Sequence, residues 1–305
     1  MGKIIIDTDI GDDIDDALAF VYAINSKEID IVGVTTVGSN PDKRAAIAKK
    51  LLAEYKYADI PVLAGAAQPI KSGSGGHWDN SYIPNQYGDE MKHIGTENGY
   101  TATDFIINTA CENPQEITIV AIGPLTNVAQ AIQKSQEFKQ KVKRIILMGG
   151  AYTYHYNEFN IVLDPEAAKL VFDSGIPITA IGLEVCLNCS MEAKEIIKKL
   201  RHNGGPSSEF LGTLVERWDR VGVGRPVILF DVLTIAALIN PGIFSFQKRL
   251  VKVETEGEYT RGMTFARETP FGELLTEEPN VQICKSVDVD ELMNSFEKKV
   301  LGKRA

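Results

Sequence analysis

Basic residues, thiols, histidines and long apolar runs are all scarce in this 305-residue chain. Lys and Arg number 32 against 41 Asp and Glu, a formal net charge of −9. That balance argues against a nucleic-acid duplex or an anionic membrane surface as the main partner, because either needs a basic patch. No apolar run reaches transmembrane length, and the N-terminus enters a strand-like run without the charged region and apolar core of a signal peptide. Position 6 is Ile rather than Ser or Thr, so Met1-Gly2 carries no myristoylation signal. The expectation is a cytoplasmic protein.

Four cysteines are too few for a disulfide framework. Cys186 and Cys189 have CxxC spacing, but no second Cys/His pair accompanies them, which disfavours zinc or redox chemistry. There is no GxxxxGK[ST] phosphate loop, and nothing suggests a Ser-His-Asp triad. Disorder is equally disfavoured, since 44% of the residues are hydrophobic and the length permits a substantial core.

What is plentiful is acid, concentrated in one place. Ile4-Ile5-Ile6 runs into Asp7, Asp9, Asp12, Asp13, Asp15 and Asp16, and then into the mostly apolar stretch from Ala17. One or two Asp residues suffice to cap a helix or shape a turn. Six carboxylates within ten residues repel one another unless something positive sits among them. An all-oxygen donor set suits a hard cation, Ca²⁺ or Mg²⁺, better than zinc.

Along the rest of the chain, short β-rich apolar runs alternate with helix-period segments. Strands are expected at 4–6, 29–37, 61–63, 117–122, 142–148, 177–183, 227–230 and 281–284, with a hairpin of 250–253 and 260–265. Helices are expected from about Asp15, at 41–57, 101–111, up to about 133, from the Asp164-Pro165 cap to Gly175, and at 191–200, 207–221, 232–239 and from Asp288. The pattern predicts one α/β domain over 1–305, an open, mostly parallel doubly wound sheet flanked by helices. Ligands bind such sheets at the carboxyl ends of the strands. Asp7, Asp9, Asn40, Ile122, the loop after Met148 and Asp231 all follow strands and can share one mouth. The long unpatterned segment 65–99 is a candidate lid or pocket wall, with His77 and Trp78 as its working residues.

With these residues assembled, the chain resembles the nucleoside hydrolase family, the inosine-uridine preferring nucleoside N-ribohydrolases. The resemblance is carried by Asp7-Thr-Asp9-Ile-Gly11 with Asp15-Asp16-Ala17, and by Ile122-Gly-Pro-Leu-Thr-Asn127, Met148-Gly-Gly150, Glu158-Phe-Asn160, Asp164-Pro-Glu-Ala-Ala168, Phe230-Asp231 and Thr260-Arg-Gly262. It implies Ca²⁺-dependent hydrolysis of ribonucleosides to ribose and free base in salvage, by a homodimer or homotetramer. It further implies Ca²⁺ ligation by Asp9, Asp16, Asp231 and the Ile122 carbonyl, and Asp9 as general base toward the metal-bound water. Asp15 and Asn40 would bind the ribose 2′ and 3′ hydroxyls and Glu158 and Asn160 its 3′ and 5′ side, with Met148 as an apolar wall.

Two departures matter. The acidic signature is two residues longer than the common form and has Ile10 where Pro is usual, so either Asp13 or Asp15 could touch the ribose. Base-nonspecific members carry His before the last metal Asp, where this chain has Phe230, which cannot donate a proton. Leaving-group help would then come from His77 or His155, from stacking on Trp78, Tyr154, Phe230 or Trp218, or not be needed. The alternatives weighed against a hydrolase are a nucleoside- or sugar-binding protein without turnover and a haloacid-dehalogenase-like Mg²⁺ phosphatase.

Overall fold

The isoleucine run at the N-terminus forms the middle of the sheet. The structure, a computed structural model, describes residues 1–71, 73, 78–95, 101–222, 224–267 and 277–302. Its strands are β1 (Gly2–Thr8), β2 (Ile29–Thr36), β3 (Val62–Ala64), β4 (Ile117–Ala121), β5 (Arg144–Met148), β6 (Ile178–Ile181), β7 (Ser190–Met191), β8 (Val227–Ile228), β9 (Phe244–Arg249), β10 (Val251–Val253), β11 (Thr264–Ala266) and β12 (Val281–Val287). Eight of them form the main sheet in the order β3-β2-β1-β4-β5-β6-β12-β9. All neighbours are parallel except β12 and β9. Ile4, Ile5 and Ile6 are buried because β1 has a strand on each side and packing on both faces, which is why it reads as an unbroken apolar run.

The strand order reverses around β1, whose neighbours are β2 and β4. That reversal opens a crevice beyond the carboxyl ends of the strands, the place where doubly wound sheets hold ligands. The residues following β1, β4 and β5 therefore face one mouth.

The α/β pattern expected from the sequence is present, with helices at Asp15–Ile24, Pro41–Glu54, Ala102–Glu112, Thr126–Lys134, Pro165–Phe172, Ala193–Asn203, Pro206–Gly222, Val232–Ile239 and Val289–Phe296. Asp164 does cap its helix, accepting from the Ala167 N–H, with Pro165 at the first position. The structure adds elements that the pattern did not predict. β9 is an edge strand whose residues are mostly part-exposed, so its alternation is weak. The helix Gln136–Lys141 is only six residues long, started by Ser135. The 227–230 run is not a strand of the main sheet; among the described residues β8 pairs with β7 in a separate two-stranded sheet. The hairpin is β10 with β11, whose second arm starts four residues later than expected and ends one later.

Gly33 of β2 illustrates how closely the first helical layer approaches. A Cβ there would lie 2.2 Å from the ring of Phe105. Gly33→Ala is expected to cost about 1–3 kcal/mol through overpacking, read as a lower urea midpoint with an unchanged slope. An unchanged midpoint would mean that Phe105 swings aside freely. Among the described residues no helix is long and apolar enough to cross a membrane.

Candidate active site

Beyond β1 the chain makes a loop whose shape is set by internal hydrogen bonds. The Thr8 hydroxyl donates to the Asp16 carboxylate and accepts from the Ile10 N–H at 3.0 Å, tying the strand end to the first helical turn. Arg44, only 4% exposed, reaches in from the second helix. It donates to the carbonyls of Asp9, Ile10 and Ser39 and to the Asp12 carboxylate, the last at 2.7 Å. A buried guanidinium with every direction occupied holds the loop while offsetting part of its negative charge. On the other side, Gly123 leaves room for the strand end: a Cβ there would sit 2.8 Å from the Asp9 nitrogen and 3.0 Å from its carboxylate.

Asp7 does not take part in this mouth. It is fully buried, and its Oδ1 accepts from the Thr35 hydroxyl at 2.5 Å and from the Asn127 amide at 2.7 Å. Asn127 also donates to the Thr36 carbonyl and accepts from the Ala66 N–H. Thr126 donates to Asp164 at 2.8 Å. The Thr126-Asn127 pair thus positions the strand ends.

Three acids converge, and their membership differs by one from the ligand set that the family resemblance implies. Carboxylate oxygens of Asp15, Asp16 and Asp231, all buried, lie within 4.8 Å of one another. The Asp231 N–H donates to Asp15 at 3.2 Å. Burial, then repulsion from neighbouring acids, Asp9 and Asp13 among them, pushes all three carboxyls well above the usual carboxylate range. Asp9 stands beside them, half-buried; desolvation raises it to about 7, with Arg44 pulling it down and Asp12 and Glu158 pushing it up. So many buried acids facing one another match the donor chemistry of a hard divalent cation.

These groups line one cavity of about 510 Å³, together with Ile122, Met148, Glu158, Asn160 and Phe230. Glu158 is aimed by its own helix. Its carboxylate caps Phe159–Leu163, accepting from the N–H groups of Asn160 at 2.9 Å, Ile161 at 3.2 Å and Gly150 at 2.9 Å. Burial raises the Glu158 carboxyl, and those three N–H groups oppose the shift. The Asn160 amide donates to the Met148 carbonyl at 3.1 Å, joining this helix to the end of β5.

Two other expected contacts fall elsewhere. Asn40 adopts a left-handed conformation, φ 54°, and its amide donates to the Tyr82 carbonyl at 2.9 Å rather than lining the cavity. The Trp78 indole donates to the Leu163 carbonyl at 3.1 Å, also outside the lining. His77 lies outside the described residues. His155 is exposed and does not line the cavity. The lengthened signature keeps Asp15 in the buried cluster and puts Asp13 at the rim. There, desolvation raises the Asp13 carboxyl, opposed by the Ile14 N–H, the Arg225 guanidinium and the Trp218 indole N–H. Arg44, Asn85 and Arg225 were not foreseen. The only signal for Arg44 was an arginine in an Ala-rich helix, which reads as a solvated face.

The sequence matches the family model of the inosine-uridine preferring nucleoside hydrolases over residues 4–294. It is 35% identical over 309 residues to the pyrimidine-specific ribonucleoside hydrolase RihA of Salmonella typhimurium strain LT2, covering 93% of this chain and 94% of that one. The corresponding protein of Escherichia coli O81 is 33% identical over 308 residues, with the same coverage. Among solved structures, a purine-preferring ribonucleoside hydrolase from Gardnerella vaginalis superposes with a TM-score of 0.84 at 27% identity, covering 98% of each chain. A plant nucleoside hydrolase does so at 0.84 and 26%, over 98% of this chain and 99% of its own.

Proposed function

The chain belongs to the inosine-uridine preferring nucleoside hydrolases and so is an enzyme that cleaves N-glycosidic bonds, and from that premise we propose that it splits ribonucleosides into ribose and free base with Ca²⁺ as its cofactor. The observation that carries this reading is the convergence of Asp9, Asp15, Asp16 and Asp231 on the same cavity as Glu158 and Asn160. Asp9, Asp16 and Asp231 would hold the cation with the Ile122 carbonyl, and Asp15 lies within the same carboxylate group. When bound, the cation supplies positive charge that acidifies water at the site.

The remaining steps belong to the protein. Asp9 takes the proton of water as the water oxygen bonds to the anomeric carbon, while the C–N bond breaks and its electron pair leaves with the base. Asp15 and Asn160 hold ribose hydroxyls. The buried Glu158 carboxylate stabilises the positive charge that develops on the sugar ring. Met148 forms an apolar wall. The pathway role is nucleoside salvage in the cytoplasm, with residues 1–305 acting as one domain in a homodimer or homotetramer; salvage and the oligomeric state rest on the family resemblance, the single domain and the location on the sequence pattern.

The test is ribose release from a panel of purine and pyrimidine ribonucleosides, their 2′-deoxy analogues and nicotinamide riboside, with and without a chelator. Release is expected from ribonucleosides, with 2′-deoxy substrates slower by on the order of 10⁴-fold because the groups that bind the 2′ hydroxyl are left unpaired. Tight binding without any release would replace the hydrolase with a binding protein.

A further inference from the structure

Among the described residues, no histidine lines the site to protonate the departing base. Phe230, which lines the cavity next to Asp231, has no proton to give. With Glu158, Asn160 and the acids engaged with the sugar, the base falls against the remaining wall, which includes Trp218, Phe230, Asp13 and Arg225.

That wall is built rather than incidental. The two extra residues of the acidic signature are pinned from the neighbouring loop. The Tyr82 hydroxyl donates to the Asp12 carboxylate at 2.7 Å, the Asn85 amide to the Asp12 carbonyl at 2.8 Å and the Gln86 amide to the Asp13 carbonyl at 2.5 Å. Gln86 is itself fully buried. The Asp13 main chain is thereby held at the cavity rim, and its side chain, which accepts from the Ile14 N–H at 2.7 Å, lines the same cavity as Arg225. Arg225 anchors its Nε–H on the Gly222 carbonyl at 3.1 Å, and its two terminal nitrogens have no hydrogen-bond partner among the described residues. Arg225 is solvent-exposed, and a guanidinium that lines a ligand cavity with its terminal donors free of protein partners is placed to exchange water for a ligand.

We propose that Arg225 is the leaving-group residue of this enzyme, donating hydrogen bonds to a carbonyl oxygen of the departing base while Asp13 accepts from the adjacent ring N–H. The proposal rests on the hydrolase reading above. As the C–N bond breaks, its electron pair passes to the base nitrogen and is delocalised onto the ring carbonyl oxygen, where the fixed positive charge of Arg225 offsets it. Arginine stays protonated, so it gives up no proton; the base anion takes one from water after release. An N–H beside a C=O is the lactam edge of uracil, hypoxanthine and guanine. Adenine and cytosine have an amino group where the lactam has its oxygen, and place their developing charge less favourably for Arg225. The pair therefore selects lactam bases.

The experiment compares wild type, Arg225→Gln, Arg225→Lys and Asp13→Asn on uridine, inosine, cytidine, adenosine and p-nitrophenyl β-D-riboside, whose leaving group departs unaided. Arg225→Gln is expected to lower kcat on uridine and inosine by about 10²-fold, the size of losing one preorganised donor, against about threefold or less on the nitrophenyl riboside. Arg225→Lys should recover part of the loss, and Asp13→Asn should erode the preference for uridine over cytidine. Equal losses on nucleosides and nitrophenyl riboside, or no loss on either, would overturn the proposal. A wild-type enzyme that releases ribose from none of these substrates would instead overturn the hydrolase reading itself.

Discussion

Asp9→Asn lowers kcat by about 10²–10⁴-fold on every ribonucleoside that the enzyme cleaves, the range associated with removing a general base. The reason lies in where Asp9 sits: at the end of β1, half-buried, lining the cavity, with the Gly123 backbone close against it and Arg44 gripping its carbonyl. Asn has nearly the same shape and keeps an oxygen for a cation, but it cannot accept a proton at neutral pH. The loss should therefore appear in kcat, with KM and the melting temperature little changed and Ca²⁺ still bound in a direct titration. A variant that retains kcat within about tenfold would remove Asp9 from the proton-transfer role. Loss of Ca²⁺ binding together with activity would instead mark Asp9 chiefly as a ligand.

Removing the divalent cation should abolish turnover and loosen the fold at the same time. Asp15, Asp16 and Asp231 are buried within 4.8 Å of one another, so the cation that offsets their repulsion binds the folded chain and not the unfolded one. A ligand at 100 times its dissociation constant stabilises by about 2.7 kcal/mol, or roughly 4 °C in melting temperature for a chain of this size. Chelation followed by calorimetry and ribose release should show both losses, and added Ca²⁺ should restore both. The stability arm has its own control, because Asp231→Asn removes one of the repelling charges and should shrink the Ca²⁺-dependent rise in melting temperature. Activity and melting temperature both indifferent to a chelator would rule out a cation in this site.

Much of the fold was legible because its signals are local. The isoleucine run of β1 announces a strand covered on both faces, and the Asp164-Pro165 pair announces a helix start, although that helix ends at Phe172, short of Gly175. Each depends only on a few neighbouring residues, so reading them needs no knowledge of the rest of the chain. β9 failed this kind of reading because an edge strand with part-exposed side chains has little alternation to detect. The short helix Phe159–Leu163 failed because Glu158 both caps it and faces the cavity, a pairing that appears only once the loop is folded.

The candidate site divides in the same way. The acidic stretch could be picked out by its charge density, and Glu158, Asn160 and Asp231 by the resemblance to a known family. Arg44 could not, since a lone arginine on a helix looks solvated until the loop after β1 is packed onto it. Asn40 and Trp78 were placed by chain proximity, and side-chain direction sent their donors to the Tyr82 and Leu163 carbonyls. Arg225 and Asp13 stand more than two hundred residues apart in sequence, and only the crevice brings them to one wall.

By itself, then, the sequence determined the alternation of strands and helices and the clustering of acids after β1, because periodicity, capping and charge density are properties of short segments, while the reaction class came from its resemblance to a known family. Only the tertiary structure decided which of those acids meet: Asp15 and Asp231, 216 positions apart, share a hydrogen bond because the sheet reverses its strand order at β1 and folds both chain segments into the same crevice.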